Sequence, residues 1–230
     1  MEQRTYSQYC ATARTLDLVG ERWTLLLIRE LLTGPKRFGD LQAGLRGLGT
    51  GLLAARLKHL EREGLAHKIT LPPPARTPAY ALTEAGAELA APILALARWG
   101  MKWAMGDRLA TETFHPGWAV LGLRACFDAG AAAGLHAVYE FRIDGEPFHA
   151  RVADGTIEAL HGPAQNPDAV VTITEDAFLR VTGQGLPLAG AVESGAASVS
   201  GDGEALRRLP RLFRLPSPRN RSQEAPGAHP

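Results

Sequence analysis

Apolar residues recur at three- and four-residue steps over residues 6–19, at Tyr9, Cys10, Ala13, Leu16 and Leu18, with Gly20 after them. This spacing predicts a helix ended by glycine. A second helix is expected over residues 23–32, ahead of Gly34-Pro35, a pair that cannot continue it. A short third helix over 38–45 buries Phe38, Leu41 and Leu45. Gly47, Gly49 and Gly51 then surround a tight turn, and Thr50 is expected to cap a fourth helix running to about residue 63. After Gly64 the pattern becomes extended. Two short strands, over 65–70 and 79–82, flank Leu71-Pro72-Pro73-Pro74, a hairpin with a stiff, projecting tip. Thr83 is expected to cap a long helix to about residue 105, with Leu89, Ile93, Leu96, Gly100 and Trp103 on one stripe. A stripe of that length on so small a domain calls for a partner, and these five residues are the candidate dimer contacts.

The second half opens on an apolar helix, residues 118–131, and then alternates as a sheet does. Strands over 136–143, 147–153 and 156–160 are separated by Asp144-Gly145 and Asp154-Gly155, both hairpin turn signals. A further strand over 169–174, a helix over 175–181, a glycine-punctuated apolar stretch over 183–195, a strand over 197–200 and a helix over 203–212 complete the pattern. The expected fold class is α+β. It comprises an N-terminal winged helix-turn-helix domain over residues 1–110, then a small domain over 111–214 with a curved, mainly antiparallel sheet backed by helices. The Pro-, Ser- and Arg-rich residues 215–230 are expected to be a disordered tail.

The formal net charge of +1 hides an asymmetry. Residues 1–110 carry 15 Lys and Arg against 10 Asp and Glu, whereas residues 111–203 carry 4 against 12. Only the first part is therefore expected to meet a polyanion. In the winged-helix order, the second helix of the turn pair enters the major groove of double-stranded DNA. Projecting the fourth helix at about 100° per residue buries Leu53, Leu57 and Leu60. The opposite face presents Thr50 at its start, Gly51, Ala55, Lys58 and Arg62, with His59 at the edge. Lys36, Arg37 and, on the wing, Arg76 are the further candidates for phosphate contacts. Gly and Ala near the helix start offer few hydrogen bonds to base edges, so thymine methyl contacts and groove shape are expected to carry specificity.

The residues Cys10, Leu16-x-Leu18-Val19-Gly20-x-x-Trp23, Gly34-Pro35-x-Arg37-Phe38-x-x-Leu41, Leu53-x-x-Arg56-Leu57-x-x-Leu60-x-x-x-Gly64-Leu65 and Tyr80-x-Leu82-Thr83-x-x-Gly86 resemble the HxlR family of winged helix regulators. The resemblance implies a homodimer, joined through the first and last helices of the domain, on a pseudo-palindromic operator. Ala11 stands where a prolyl residue often follows the cysteine, and Gly51 where a polar residue would aid base reading.

Residues 118–213 resemble the sterol carrier protein type two fold. The likeness rests on Phe141-x-Ile143-x-Gly145, Val152-x-Asp154-Gly155, Asn166-Pro167-Asp168, residues 178–181 and Val199-x-Gly201-Asp202. It implies an apolar tunnel for a hydrophobic small molecule, the expected effector. Phe141, Ile143, Phe148, Val152, Phe178 and Leu188 have the alternation or spacing to point inward, and Trp118 opens the helix expected to close the site. The same residues also read as plain core.

Rival classes are excluded on context. Arg46-Gly47-Leu48-Gly49-Thr50-Gly51 matches a coenzyme-A-binding acetyltransferase string, but that motif needs a preceding strand where a helix is expected here. No Ser/His/Asp order or metal-ligand spacing occurs, and the seven histidines are scattered. Accordingly, no catalysis, cofactor or metal is expected. The absence of a long apolar run or secretory design gives an expectation of a cytoplasmic protein with no membrane partner. With only Arg14 near it as a charged neighbour, Cys10 reads as a small buried hydrophobe rather than the oxidant-sensing thiol of some family members. The expectation is a transcriptional regulator, a repressor, modulated by an apolar ligand. A purely architectural DNA-binding dimer, and a lipid carrier or acetyltransferase-like protein, are the alternatives.

Overall fold

The computed structural model describes residues 5–105, 108, 109 and 111–216; most of the expected tail lies outside them. The chain divides into two units, Met1–Ile93 and Leu94–Pro230. The sequence pattern alone places this boundary near residue 110.

In the first unit, α1 spans Ala11–Val19 rather than starting at residue 6. The residues ahead of it fold back: the Thr5 hydroxyl and the Tyr6 amide donate to the Asp17 carboxylate at 3.1 and 2.9 Å, and Ser7 takes a positive φ of 52°. Helix α2 (Thr24–Leu31) follows Trp23, and α3 (Phe38–Gly44) opens with the Asp40 carboxylate accepting the Arg37 amide. Helix α4 runs Thr50–Arg62 with Gly49 at its cap, so Thr50 is its first residue and not the expected capping side chain. Leu27, Ile28, Leu41, Leu53, Leu57 and Leu60 form the centre of the core and are all essentially inaccessible to solvent. Burying side chains of this kind contributes roughly 1.5–3 kcal/mol each.

Strands β1 (Ala66–Thr70) and β2 (Pro78–Leu82) pair antiparallel, from Ala66 opposite Leu82 to Thr70 opposite Pro78. Lys36 adds a bridge to Tyr80 on the far side of β2. Thr83 caps as expected, accepting the Gly86 amide at 3.1 Å. The long helix it was expected to start is instead broken at Leu89 into α5 (Glu84–Glu88) and α6 (Ala90–Trp103). Pro92 supplies a reason. It has no N–H to donate back to Glu88, and at the third position of a new helix that donor is not needed.

The second unit is a five-stranded mixed sheet with helices, which makes the whole chain α+β. A short 3-10 turn, Pro116–Trp118, leads into α7 (Ala119–Cys126). Helix α7 stops five residues before the expected end because Phe127 turns extended and bridges Phe213. Strands β3 (His136–Ile143), β4 (Glu146–Ala153), β5 (Thr156–His161), β6 (Ala169–Ile173) and β7 (Ala197–Gly201) lie in the order β5-β4-β3-β6-β7. All neighbours are antiparallel except the central β3 and β6. Helices α8 (Glu175–Gly183), α9 (Leu188–Glu193) and α10 (Gly203–Leu212) contribute, with α7, to the apolar clusters on one face of the sheet. On the other face the Glu140 carboxylate is buried, accepting from Arg142 at 2.7 Å and from the Ala164 amide at 2.7 Å.

Candidate nucleic-acid interface

Helix α4 buries Leu53, Leu57 and Leu60, which leaves the opposite face outward. Thr50, Gly51, Lys58 and Arg62 are exposed and Ala55 is half-buried. Nothing lies within 4 Å of where a Cβ on Gly51 would stand. The fold therefore does not require glycine there, and the backbone is open to close approach.

His59, which the helical projection puts at the edge of this face, is turned away from it. Its Nε2–H donates to the Leu18 carbonyl at 2.8 Å, and Nδ1 accepts from Arg62 at 2.9 Å. A carbonyl can only accept, and this fixes the tautomer. His59 thus ties α4 to the last turn of α1. Arg56, which faces the same way, is held 2.9 Å from Glu21. Arg62 also reaches Glu63 at 2.8 Å but keeps more than half of its side chain in solvent.

Around this helix the other predicted basic residues take separate places. Arg37 is exposed at the start of α3, and Lys36 is half-buried, with its backbone bonded to Tyr80. Arg76 is exposed between the two strands of the wing at a φ of 40°. Sequence reasoning missed Lys68, which lies on β1 with its ammonium 5.6 Å from the Tyr80 ring centroid and 3.7 Å from Glu61. Alternation gave no signal for it, because Lys68 falls on the same side of β1 as the buried Ala66 and is nevertheless exposed.

The candidate dimer stripe divides in two. Leu89, partly buried, packs against the first unit's core, and Ile93 lies within it. Leu96 and Trp103 are exposed, as is Trp99, which the sequence reading left out, and Gly100 is half-exposed. In the second unit the guanidinium of Arg98 donates to the Ala125 carbonyl at 2.8 Å, and Cys126 Sγ lies 3.5 Å from Met101 Sδ.

The candidate ligand residues are also divided. Ile143, Phe148 and Val152 are at most 3% exposed and belong to the packed sheet face. Phe141, stacked on Phe148 at 5.4 Å between centroids, joins the two core clusters with Leu188. Trp118 and Phe178 are half-buried, and each ring meets Phe114, at 6.3 and 5.6 Å. Among the described residues no three His, Cys, Asp or Glu side chains come together as a metal-binding group, and no helix is long and apolar enough to cross a membrane.

Cys10 is exposed at the start of α1, not buried. The backbone N–H groups of Ala13 and Thr12 hold its thiol below the ordinary cysteine range, while burial pushes the Cys126 thiol up. A lowered value means more thiolate at a given pH, so Cys10 is expected to alkylate at lower pH than a free cysteine. Cys126 should react only on unfolding. Rate–pH profiles with iodoacetamide check this, and equal rates at the two thiols would contradict it.

Residues 18–108 match the family model described as HxlR-like helix-turn-helix. The uncharacterized HTH-type transcriptional regulator YvaP of Bacillus subtilis is 32% identical over 90 residues, which are 39% of this chain and 83% of that protein. This chain belongs to the HxlR-like helix-turn-helix family. An uncharacterized HTH-type transcriptional regulator of Mycobacterium tuberculosis is 42% identical over 90 residues, 39% of this chain and 56% of the relative, so the HxlR-type chain spans about half of that protein. Residues 121–219 match a different model, alkyl sulfatase C-terminal. The second unit is therefore assigned to that description rather than specifically to the sterol carrier fold. The solved sec-alkylsulfatase Pisa1 from a Pseudomonas species aligns at 18% identity over 45% of this chain and 16% of its own, with a TM-score of 0.39.

Proposed function

We propose that this HxlR-type protein is a cytoplasmic, sequence-specific transcriptional regulator, a repressor, that binds double-stranded DNA as a homodimer and is not an enzyme. The reading rests on the outward face of α4, with its small residues at the start and Lys58 and Arg62 further along, set beside an exposed basic wing. Small residues let the helix backbone enter the groove, and cations beyond it meet phosphates. Exposed Tyr9 ahead of α1, Leu16 on α1, and Leu96 and Trp99 on α6 support pairing with a second copy, because isolated monomers rarely leave so much apolar surface in water. A two-fold dimer implies a pseudo-palindromic operator.

The second unit is proposed to hold an apolar, lipid-like effector, as the sterol-carrier resemblance implied. Support comes from the half-buried rings of Phe114, Trp118 and Phe178, which lie together beside the sheet and stay partly open. The closed packing of Ile143, Phe148 and Val152 favours the architectural reading instead. Adding fatty acids to the protein–DNA complex separates the two, since only an effector changes DNA affinity.

Light scattering with a labelled duplex selected from a random-sequence library tests the central reading. The free protein is expected at about twice 24.6 kDa, with two chains on each bound site. A monomer that binds one chain to a palindromic site would contradict it.

A further inference from the structure

Resting on the DNA-binding reading above, we propose that the first turns of α4 recognise thymine methyl groups through Leu52 and Ala55, so that the preferred DNA carries thymines where those side chains meet the major groove. Base edges are read by side chains that reach the groove floor, and bidentate hydrogen-bonded readout needs Arg, Lys, Asn or Gln there. The opening of α4 supplies none of these. Its first six residues are Thr50-Gly51-Leu52-Leu53-Ala54-Ala55, and the Thr50 hydroxyl is the one hydrogen-bonding side chain among them. No Asn or Gln occurs anywhere on the helix.

The polar side chains further along are committed or too distant. Arg56 is held by Glu21, and His59 by the Leu18 carbonyl. Arg62 stands twelve residues beyond Thr50, about 18 Å along the axis at 1.5 Å per residue, against a groove about 12 Å wide. It is placed for a phosphate. Lys58, about 12 Å along, meets the groove edge.

What remains at the start of the helix, on the outward face and along its edge, is apolar. Leu52 is 40% exposed although it is a large aliphatic side chain, and Ala55 is half-buried beside it. A single exposed leucine is ordinary on a protein surface. Its weight here comes from its position next to Gly51, where open space lets the backbone, and Leu52 with it, come close to the bases. The C5-methyl of thymine is the apolar feature that the major groove displays, and it is absent from the other three bases.

The test uses the full chain and a duplex selected from a random-sequence library, synthesised once with thymine and once with deoxyuridine, which lacks only the methyl. The deoxyuridine duplex is expected to bind roughly fourfold more weakly for each contacted methyl lost. Leu52→Ala is expected to keep the melting temperature and to shrink that penalty, with Ala55→Gly as an independent second variant. Equal affinity for the two duplexes, or an undiminished penalty in both variants, would overturn the proposal. Failure of the wild-type chain to bind either duplex would instead overturn the DNA-binding reading on which it rests.

Discussion

Gly86→Ala is expected to destabilise the first unit by about 3 kcal/mol or more, the range of buried steric conflicts that backbone must relieve. Gly86 is buried in the first turn of α5. A Cβ there would stand 2.0 Å from the Leu65 carbonyl oxygen and 3.1 Å from Leu82 Cδ2. The Leu65 carbonyl is not free to move, since it accepts the Thr83 amide at 3.1 Å at the point where β2 hands the chain to α5. Adding one methyl must therefore part α5 from the base of the wing. Thermal unfolding of the full chain should show a clearly lowered midpoint, with faster amide exchange over residues 65–89. An unchanged midpoint would mean that the helix does not pack on the hairpin as described.

Phe148→Ala should be comparably severe in the second unit, at about 3–5 kcal/mol for truncating a fully packed aromatic residue. Phe148 is 1% exposed, stacks on Phe141 at an interplanar angle of 13°, and shares its cluster with Ile143, Ala191 and Ala197. The sheet backbone that carries Phe148 is held by its pairings with the neighbouring strands, so the cavity left behind closes only in part. Phe148→Leu, which restores most of the volume, should recover much of the loss. If Phe148→Ala melted like the wild type, the residue would be lining a space rather than filling a core, and the effector reading would gain.

The parts of this fold legible in the sequence were those governed by local chemistry. Asp144-Gly145 and Asp154-Gly155 adopt positive φ at both positions, 47° and 86°, then 43° and 78°, which is what a two-residue hairpin turn of this kind demands. The leucine stripe of α4 and the Thr83 cap were read from spacing alone, and both occur. The misses were set by distant partners. Asp17 draws Thr5 and Tyr6 out of the expected helix, Phe213 draws Phe127 out of α7, and the Leu18 carbonyl draws His59 inward. Each partner lies at least eleven residues away, so no helical projection or local pattern registers it. Cys10 was misjudged for a related reason. Its burial was read from the lack of charged neighbours along the chain, whereas the residue stands exposed at the cap of α1 with backbone N–H groups lowering its thiol.

Salt-dependent binding of a selected duplex, compared among the wild type, Lys58→Ala and Arg76→Ala, bears most directly on the claim that α4 and the wing face DNA. Both side chains are exposed, so their removal should leave the fold intact. The wild type is expected to bind with an affinity that falls steeply as salt rises, and each variant to bind more weakly with a log–log slope reduced by about one unit. Wild-type affinity and slope in both variants, or no salt-sensitive binding at all, would contradict the account.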